Sequence, residues 1–533
     1  MAAVKLLICL LSLPSRVHAN FTELLTIHPL PAINKVLGVF EFSANETTGI
    51  NFESLFPNAL RQILRKHDAE SVHLTFSTGK YVDWRYGSMQ NISNFGFKNA
   101  PYGARLHVAL RGESNAQQRW RGITSDLGGI FSASLNQMGE TVVIGLLQGS
   151  TPHELGAFPM TSRDPKLVFL HGSLAREELC TENLTPWLKM LPCRSIAGVG
   201  SLIDPINALS GEYLSVSLLA EQSSPSTWRL RQHLTTVQSP NKHNKARWSL
   251  SSIFLSNDNP STSVVACPLA TESAIRTKGM ELSEMVTTNL HAKPISLTQS
   301  WFEDLKLASD STAAQSSISG LQDVVSVHRY VTGFGQVRGG IAIQLQNNNP
   351  ACAMRVTYHD VIPWYLRVYF HTFKVTARGS KHAGRNFIQE FDFVPAELRG
   401  RPNQFRIVAL LPANTTLIFS LQMEKAFLRL SEHPPDANRG FDIASGVATF
   451  NVQKNAKNLA ICGEDIESPS FTTTLYTEPL LVSLPTPDFS MPYNVITMTS
   501  TIVAFLIGTM LNTLLRKAPR IKQLMTSTPH VMK

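Results

Sequence analysis

Catalytic signatures are nearly absent from this 533-residue chain, and each missing one removes a class of function. The stretch GFGQVRGG (333–340) has Arg338 where a dinucleotide-binding G-x-G-x-x-G needs its third glycine, and it precedes a strand pattern, so it reads as a glycine-rich hairpin. HELGAF, from His153, lacks the second histidine of a zinc-protease helix, and GVGSLI (198–203) has no glycine at 203 to close a nucleophile elbow. None of the 16 histidines forms a ligand-spaced pair with a cysteine, so neither a metal nor a cofactor is expected, and no catalytic residue is assigned. Cysteine is scarce, six in all, too few for a disulfide-built scaffold. No internal repeat of propeller or solenoid period stands out, and no KDEL-type retrieval signal closes the chain.

Concentrated positive charge is also missing from most of the chain. The net charge is +9, but Arg516, Lys517, Arg520, Lys522 and Lys533 supply five of it at the tail, and Lys5 and Arg16 two at the start. The remainder carries +2, which gives no footprint for nucleic acid.

What is present begins with a secretory leader. Lys5, the apolar run Leu6 to Leu13 and the small-residue site Val17-His18-Ala19 predict a signal peptide over 1–19. Near the other end, Tyr493 to Leu515 is 23 residues without a formal charge, which at about 1.5 Å per residue spans a hydrocarbon core of about 30 Å. The basic tail, 516–533, contains no acid and so faces the cytosol. A removable lipid-attachment signal would end in its apolar tail, whereas 18 polar or basic residues follow here. The pattern predicts a single-pass type I membrane protein. Hydroxyls such as Thr497, Ser500 and Thr501 suit the anchor to packing against other membrane helices.

Between these ends the pattern is mainly that of strands. SVHLTF (71–76) and TLIFSLQM (416–423) alternate apolar and polar residues, while 55–66 and 117–136 carry helical spacing. Short alternating strands without regular βα alternation predict a mainly β fold: two sandwich-like luminal domains with minor helices and one C-terminal transmembrane helix. The first domain is expected over 20–267, a linker region over 268–325 that is rich in Ser, Thr and Ala toward its end, and the second domain over 326–489. The polar stretch 238–249 reads as an exposed loop.

Five cysteines remain once Cys9 leaves with the leader: Cys180, Cys193, Cys267, Cys352 and Cys462. An odd number in an oxidising lumen requires a free thiol or a bond to another chain. A local Cys180–Cys193 bond around CTENLTPWLKMLPC (180–193), an exposed loop on this reading, would still leave an odd set. Sequons mark Asn20, Asn45, Asn91, Asn183 and Asn414 as candidates for N-glycosylation.

The segment CTENLTPWLKMLPC resembles the corresponding segment of the PIG-T family, a subunit of the GPI transamidase complex of the endoplasmic reticulum. So do RYVTGFGQ (329–336), IPWYLRVYFHTF (362–373) and YTEPLLVSLPTPDFSMPYNVI (476–496). The resemblance implies a non-catalytic subunit beside a caspase-like protease, PIG-K, which attaches GPI anchors to proproteins. It implies that Cys180 makes an interchain disulfide to that protease; four cysteines then remain, and the split into two domains suggests Cys193–Cys267 and Cys352–Cys462 as internal pairs. It further implies residence in the endoplasmic reticulum membrane, other membrane subunits as partners, and the GPI lipid and the proprotein within reach. The competing readings are a type I adhesion or receptor ectodomain at the cell surface and a luminal hydrolase.

Overall fold

The computed structural model describes residues 19–30, 33–47, 54–89, 92–147, 150–156, 167–224, 226–239, 249–255, 263–278, 285–297, 325–333, 335, 337–350, 353–379, 384–433, 438–453, 470–486 and 490–515. The leader up to residue 18, the basic tail, most of 238–249, Asn91, Cys352 and Cys462 lie outside the described residues.

The first half of the chain supplies β1 (Ala19–Leu30), β2 (Lys35–Thr47), β3 (Ala69–Gly79), β4 (Gly103–Arg111), β5 (Val143–Ile144), β6 (Leu167–Leu174), β7 (Tyr213–Ser224) and β8 (Thr227–Gln238). The short β9 (Ser263–Val264), then β10 (Glu272–Lys278), β11 (Met285–Asn289) and β12 (Ile295–Ser296) follow. Ten of these form one sheet in the order β11-β10-β1-β2-β8-β7-β3-β4-β6-β5, while β9 and β12 pair separately. Among the described residues, β1 and β10 are the one pair that runs parallel. The interval expected as a linker thus contains two strands of this sheet, β10 and β11, and the first region extends well past residue 267.

Alternation decides what each face meets. In β3, Val72, Leu74 and Phe76 point to one side, where they join a core with Phe40, Phe42, Val216 and Leu218. The layer covering that side is helical rather than a second sheet. Helix α1 (Asn58–Lys66) buries Leu60, Ile63 and Leu64, and α2 (Ala116–Phe131) buries Trp120, Ile123, Leu127 and Phe131. Trp120 can lie flat on the sheet because Gly172 has no Cβ, which would stand 2.5 Å from the indole. Helix α2 ends five residues short of the spacing-based limit of 136, where Ser132 turns left-handed at φ 51°.

The opposite face carries His73, His107, His171, His233, Thr75 and Ser217, and all of them are buried. One cover is the segment after β3. Glu41 in β2 accepts from the Ser93 hydroxyl (2.5 Å) and from the backbone N–H groups of Asn94 (3.0 Å) and Phe95 (3.2 Å), which pins that segment down. The other cover is the second β-rich region.

That region runs β13 (Val325–Thr332), β14 (Arg338–Asn347), β15 (Met354–Ile362), β16 (Leu366–Arg378), β17 (Ile388–Val394), β18 (Asn403–Leu411), β19 (Thr415–Lys425), β20 (Phe441–Ile443), β21 (Val447–Gln453), β22 (Ser470–Tyr476) and β23 (Leu480–Val482). A four-stranded sheet, β13-β14-β19-β16, packs against a five-stranded one, β17-β18-β15-β21-β22. Rings cross between them: Phe370 of β16 lies 6.0 Å from Phe405 of β18, and Phe373 of β16 lies 4.3 Å from Phe391 of β17. A fully buried ion pair also joins the two sheets, with Arg329 Nη1 donating to Asp360 Oδ1 at 2.6 Å. The Asp360 carboxylate takes a second bond from the Tyr358 hydroxyl, and Arg329 Nη2 reaches the carbonyls of Ala444 and Glu478. The Arg-Tyr start of RYVTGFGQ therefore carries a structural cation.

The two β-rich regions form one compact unit, which includes Gly440–Leu484; Phe427–Arg439 and the C-terminal segment from Pro485 form a second. In the second unit, helix α3 (Ser490–Leu515) includes the span Tyr493–Leu515, with a mean hydropathy of 1.7 and none of it buried. By length and composition it can cross a membrane, within the bounds the sequence predicts.

Removing one partner of the Arg329–Asp360 pair leaves a buried charge unpaired. Asp360→Ala should therefore cost about 3–5 kcal/mol, read as faster amide exchange throughout β13 and β15. Replacing both residues with leucine should cost much less, and equal damage from both variants would rule this account out.

Candidate functional site

The segment 180–193, read from sequence as a loop, holds a helix. Thr181–Lys189 is helical with Cys180 at its N-cap in extended geometry. The Cys180 N–H donates to Asn183 Oδ1 at 2.7 Å, which satisfies a donor the helix itself cannot, and Asn183 Nδ2 returns to the Glu178 carbonyl at 3.3 Å. Pro186 lies inside the helix, where its missing N–H costs one bond to the Glu182 carbonyl.

Tertiary anchoring offsets that loss. Leu184, Trp187 and Leu188 are buried, and the Trp187 ring meets Phe42 edge-on at 6.2 Å. The Trp187 indole N–H donates to the Ser217 carbonyl at 3.0 Å, while Gln232 Nε2 donates to the Trp187 carbonyl at 2.8 Å. The helix is thus bolted to the centre of the large sheet by its middle. Its N-terminus projects outward, and Cys180 is exposed with a free thiol.

Cys193, the local alternative partner, is already used. It is bonded to Cys267 across 74 residues, with the two Cα atoms 5.9 Å apart. The bridge joins the end of the Cys180 segment to the approach to β10. A buried carboxylate organises the same place: Glu23 of β1 accepts from Cys267 N–H (3.1 Å), Val199 N–H (3.2 Å) and the Ser273 hydroxyl (2.5 Å). Burial pushes the Glu23 carboxyl upward, and these three bonds work against that shift. Gly198, at φ 76°, is required here, since a Cβ would stand 2.2 Å from Glu23 Oε2. Sequence reasoning missed Glu23; the only signal was one acid amid the apolar alternation of β1.

The sequons divide. Asn20 and Asn414 are exposed, Asn414 at a turn with φ 46°, and Asn45 is partly buried under a bond from Arg229. Asn183 is 1% exposed, and its amide is spent on the helix N-terminus, an arrangement that works against a glycan there. Among the described residues, no group of three or more His, Cys, Asp or Glu side chains is placed to hold a metal.

Exposure separates the thiols chemically. In the chain produced by itself and kept native, iodoacetamide should label Cys180 and spare Cys193 and Cys267 until a reductant is added; peptide mass spectrometry reads the result. Cys267→Ser should also lower stability by about 4 kcal/mol, the chain-entropy value for a loop of that length, measured as a fall in thermal midpoint.

A family model described as the Gpi16 subunit, a GPI transamidase component, matches residues 5–247 and 238–532. The GPI-anchor transamidase component PIGT of Mus musculus is 31% identical across 93% of this chain and 90% of its own length. The human (Homo sapiens) PIGT gives the same identity and coverage. The GPI transamidase component GPI16 of Saccharomyces cerevisiae is 26% identical across 94% of this chain and 89% of its own. Among solved structures, the collagen binding subdomain of the Enterococcus faecalis surface protein ACE aligns at a TM-score of 0.19 and 10% identity, covering 29% of this chain and 97% of that one, which carries no argument. Matches that run nearly end to end, on both this chain and its relatives, identify the chain as a member of the Gpi16 family of GPI transamidase components.

Proposed function

We propose that this chain is the non-catalytic subunit of GPI transamidase that holds the complex's caspase-like protease, PIG-K, through a disulfide from Cys180. The observation that carries this reading is the pairing of Cys193 with Cys267, which leaves Cys180 exposed, unbonded and rigidly mounted. A thiol at the cap of an anchored helix has few orientations to lose when it joins a partner, so the bond forms at low entropic cost. Acyl transfer needs an activated nucleophile and an oxyanion hole, and those belong to the protease.

The remaining assignments follow from this one. The β-rich regions lie in the lumen of the endoplasmic reticulum, α3 crosses its membrane once, and residues 516–533 face the cytosol. Residence there comes from assembly with the other membrane subunits, through the hydroxyl-bearing face of α3. The two β-rich regions give the protease a stiff luminal support, where the GPI lipid and the proprotein meet it. Asn20, Asn45, Asn91 and Asn414 are the positions for glycans.

Non-reducing electrophoresis tests the tie. Wild-type chain should run as a heterodimer with a protease-sized partner, Cys180→Ser should run alone, and Cys352→Ser should keep the high-mass band. GPI transfer to proproteins should fall in Cys180→Ser without vanishing, because a disulfide adds only about 2–4 kcal/mol to contacts that persist without it. A high-mass band that survives Cys180→Ser would refute the assignment, and a wild-type chain running alone would favour an adhesion ectodomain.

A further inference from the structure

Along the seam between the two β-rich regions lies a cavity of about 270 Å³. Tyr81, Asp83 and Tyr102 line it from the first region, and Val327, Leu475 and Tyr476 from the second. A cavity at such a junction, mostly apolar with a few convergent polar groups, has the makings of a ligand site. Asp83 is the group that gives it a sign.

The Asp83 carboxylate accepts one hydrogen bond, from Asn99 Nδ2 at 3.1 Å. Burial pushes its carboxyl up to about 7, and among the described residues no cation offsets the shift. The ionisable groups that face it are the phenols of Tyr81, Tyr213 and Tyr476, each pushed upward and therefore neutral at physiological pH. Lys80 and His328 also line the cavity, but both are paired with Glu478, at 3.1 and 3.0 Å. A half-buried carboxylate with no counter-ion among the described residues is an incomplete electrostatic pair.

We propose that this cavity binds a small aliphatic ammonium group, with Asp83 as its counter-ion and tyrosine rings as its walls. Charge selects the ligand: an anion would meet a carboxylate, and a neutral alcohol would leave it uncompensated. A cation completes the pair in a low-dielectric setting and gains from the aromatic faces as well. The volume suits a short amine and excludes a folded peptide. This site is independent of the Cys180 tie.

The test uses the detergent-purified complex containing the full chain, titrated calorimetrically with butylammonium chloride and, in parallel, with 1-butanol as the neutral isostere. Butylammonium should bind at pH 8 and butanol should not. Binding should be about tenfold weaker at pH 6, since a single carboxyl titrating near 7 is mostly ionised at the higher pH and mostly protonated at the lower. Asp83→Asn keeps the shape and the bond from Asn99, and it should abolish butylammonium binding. The same variant should raise the thermal midpoint at pH 8. The native carboxyl holds its proton more tightly than the unfolded one, so stability declines as pH rises through the interval up to about 7, and the amide removes that cost. Equal binding of butanol, absence of pH dependence, retained binding in Asp83→Asn, or a lowered midpoint in that variant would each overturn the proposal.

Discussion

Arg105 stands on β4, the third strand from one edge of the large sheet, pointing away from the helical layer, and it is buried. Its guanidinium donates to the Leu155 carbonyl at 3.1 Å and to the Ser445 carbonyl at 2.9 Å, and it lies 4.8 Å from the centroid of the Tyr476 ring. Burial pulls its proton affinity down, yet a guanidinium remains charged and must be solvated by protein. Two carbonyls and one π face, supplied by two regions of chain, do this. The second β-rich region is therefore required as the solvent for a cation of the first. Around Arg105 the Tyr476 hydroxyl donates to the Asn99 carbonyl, and Glu154 meets His359 and Arg406, so this part of the seam is polar.

The seam dictates the state of the histidines beneath it. His107 lies 4.6 Å from His171 and 5.6 Å from His73, and burial pulls all three well into the neutral range. A neutral row can stack, whereas a protonated one would place like charges side by side without water. The same desolvation acts on Asp83 with opposite sign, lifting its carboxyl toward neutrality. One physical cause, the closure of a polar face, thus sets both the rigidity of the unit and the unusual carboxylate at its edge.

Much of this was legible in the sequence, and the rest fails for identifiable reasons. Alternation in SVHLTF located β3 and its core face, and uncharged length located α3. Alternation cannot say that His73 and Thr75 are buried as well, because a polar face signals solvent unless a distant segment covers it. Glu272–Lys278 joins the sheet through parallel pairing with β1, some 250 residues earlier, and carries no local mark of that partner. The helix after Cys180 was hidden by Pro186, which breaks a local rule that Trp187 and Gln232 overrule through tertiary bonds. The free thiol was visible only as an odd count. Which cysteine stood apart came from the resemblance, and its exposure from the fold.

These elements differ in what they do for the fold. Cys180 contributes its backbone to the helix cap, but its side chain fills no core, so a bond at sulfur asks nothing of the fold. Cys193, Cys267 and Glu23 do the opposite: they are sunk into the junction of three chain segments and keep the base of the Cys180 segment from shifting. Between them the nine-residue helix transmits position, because its middle is fixed to Ser217 and Gln232 at the centre of the sheet. A tether on a loop would let a bonded protein swing through many orientations. A group attached at the cap of this helix would be restricted to few, which is the structural content of the proposed tie.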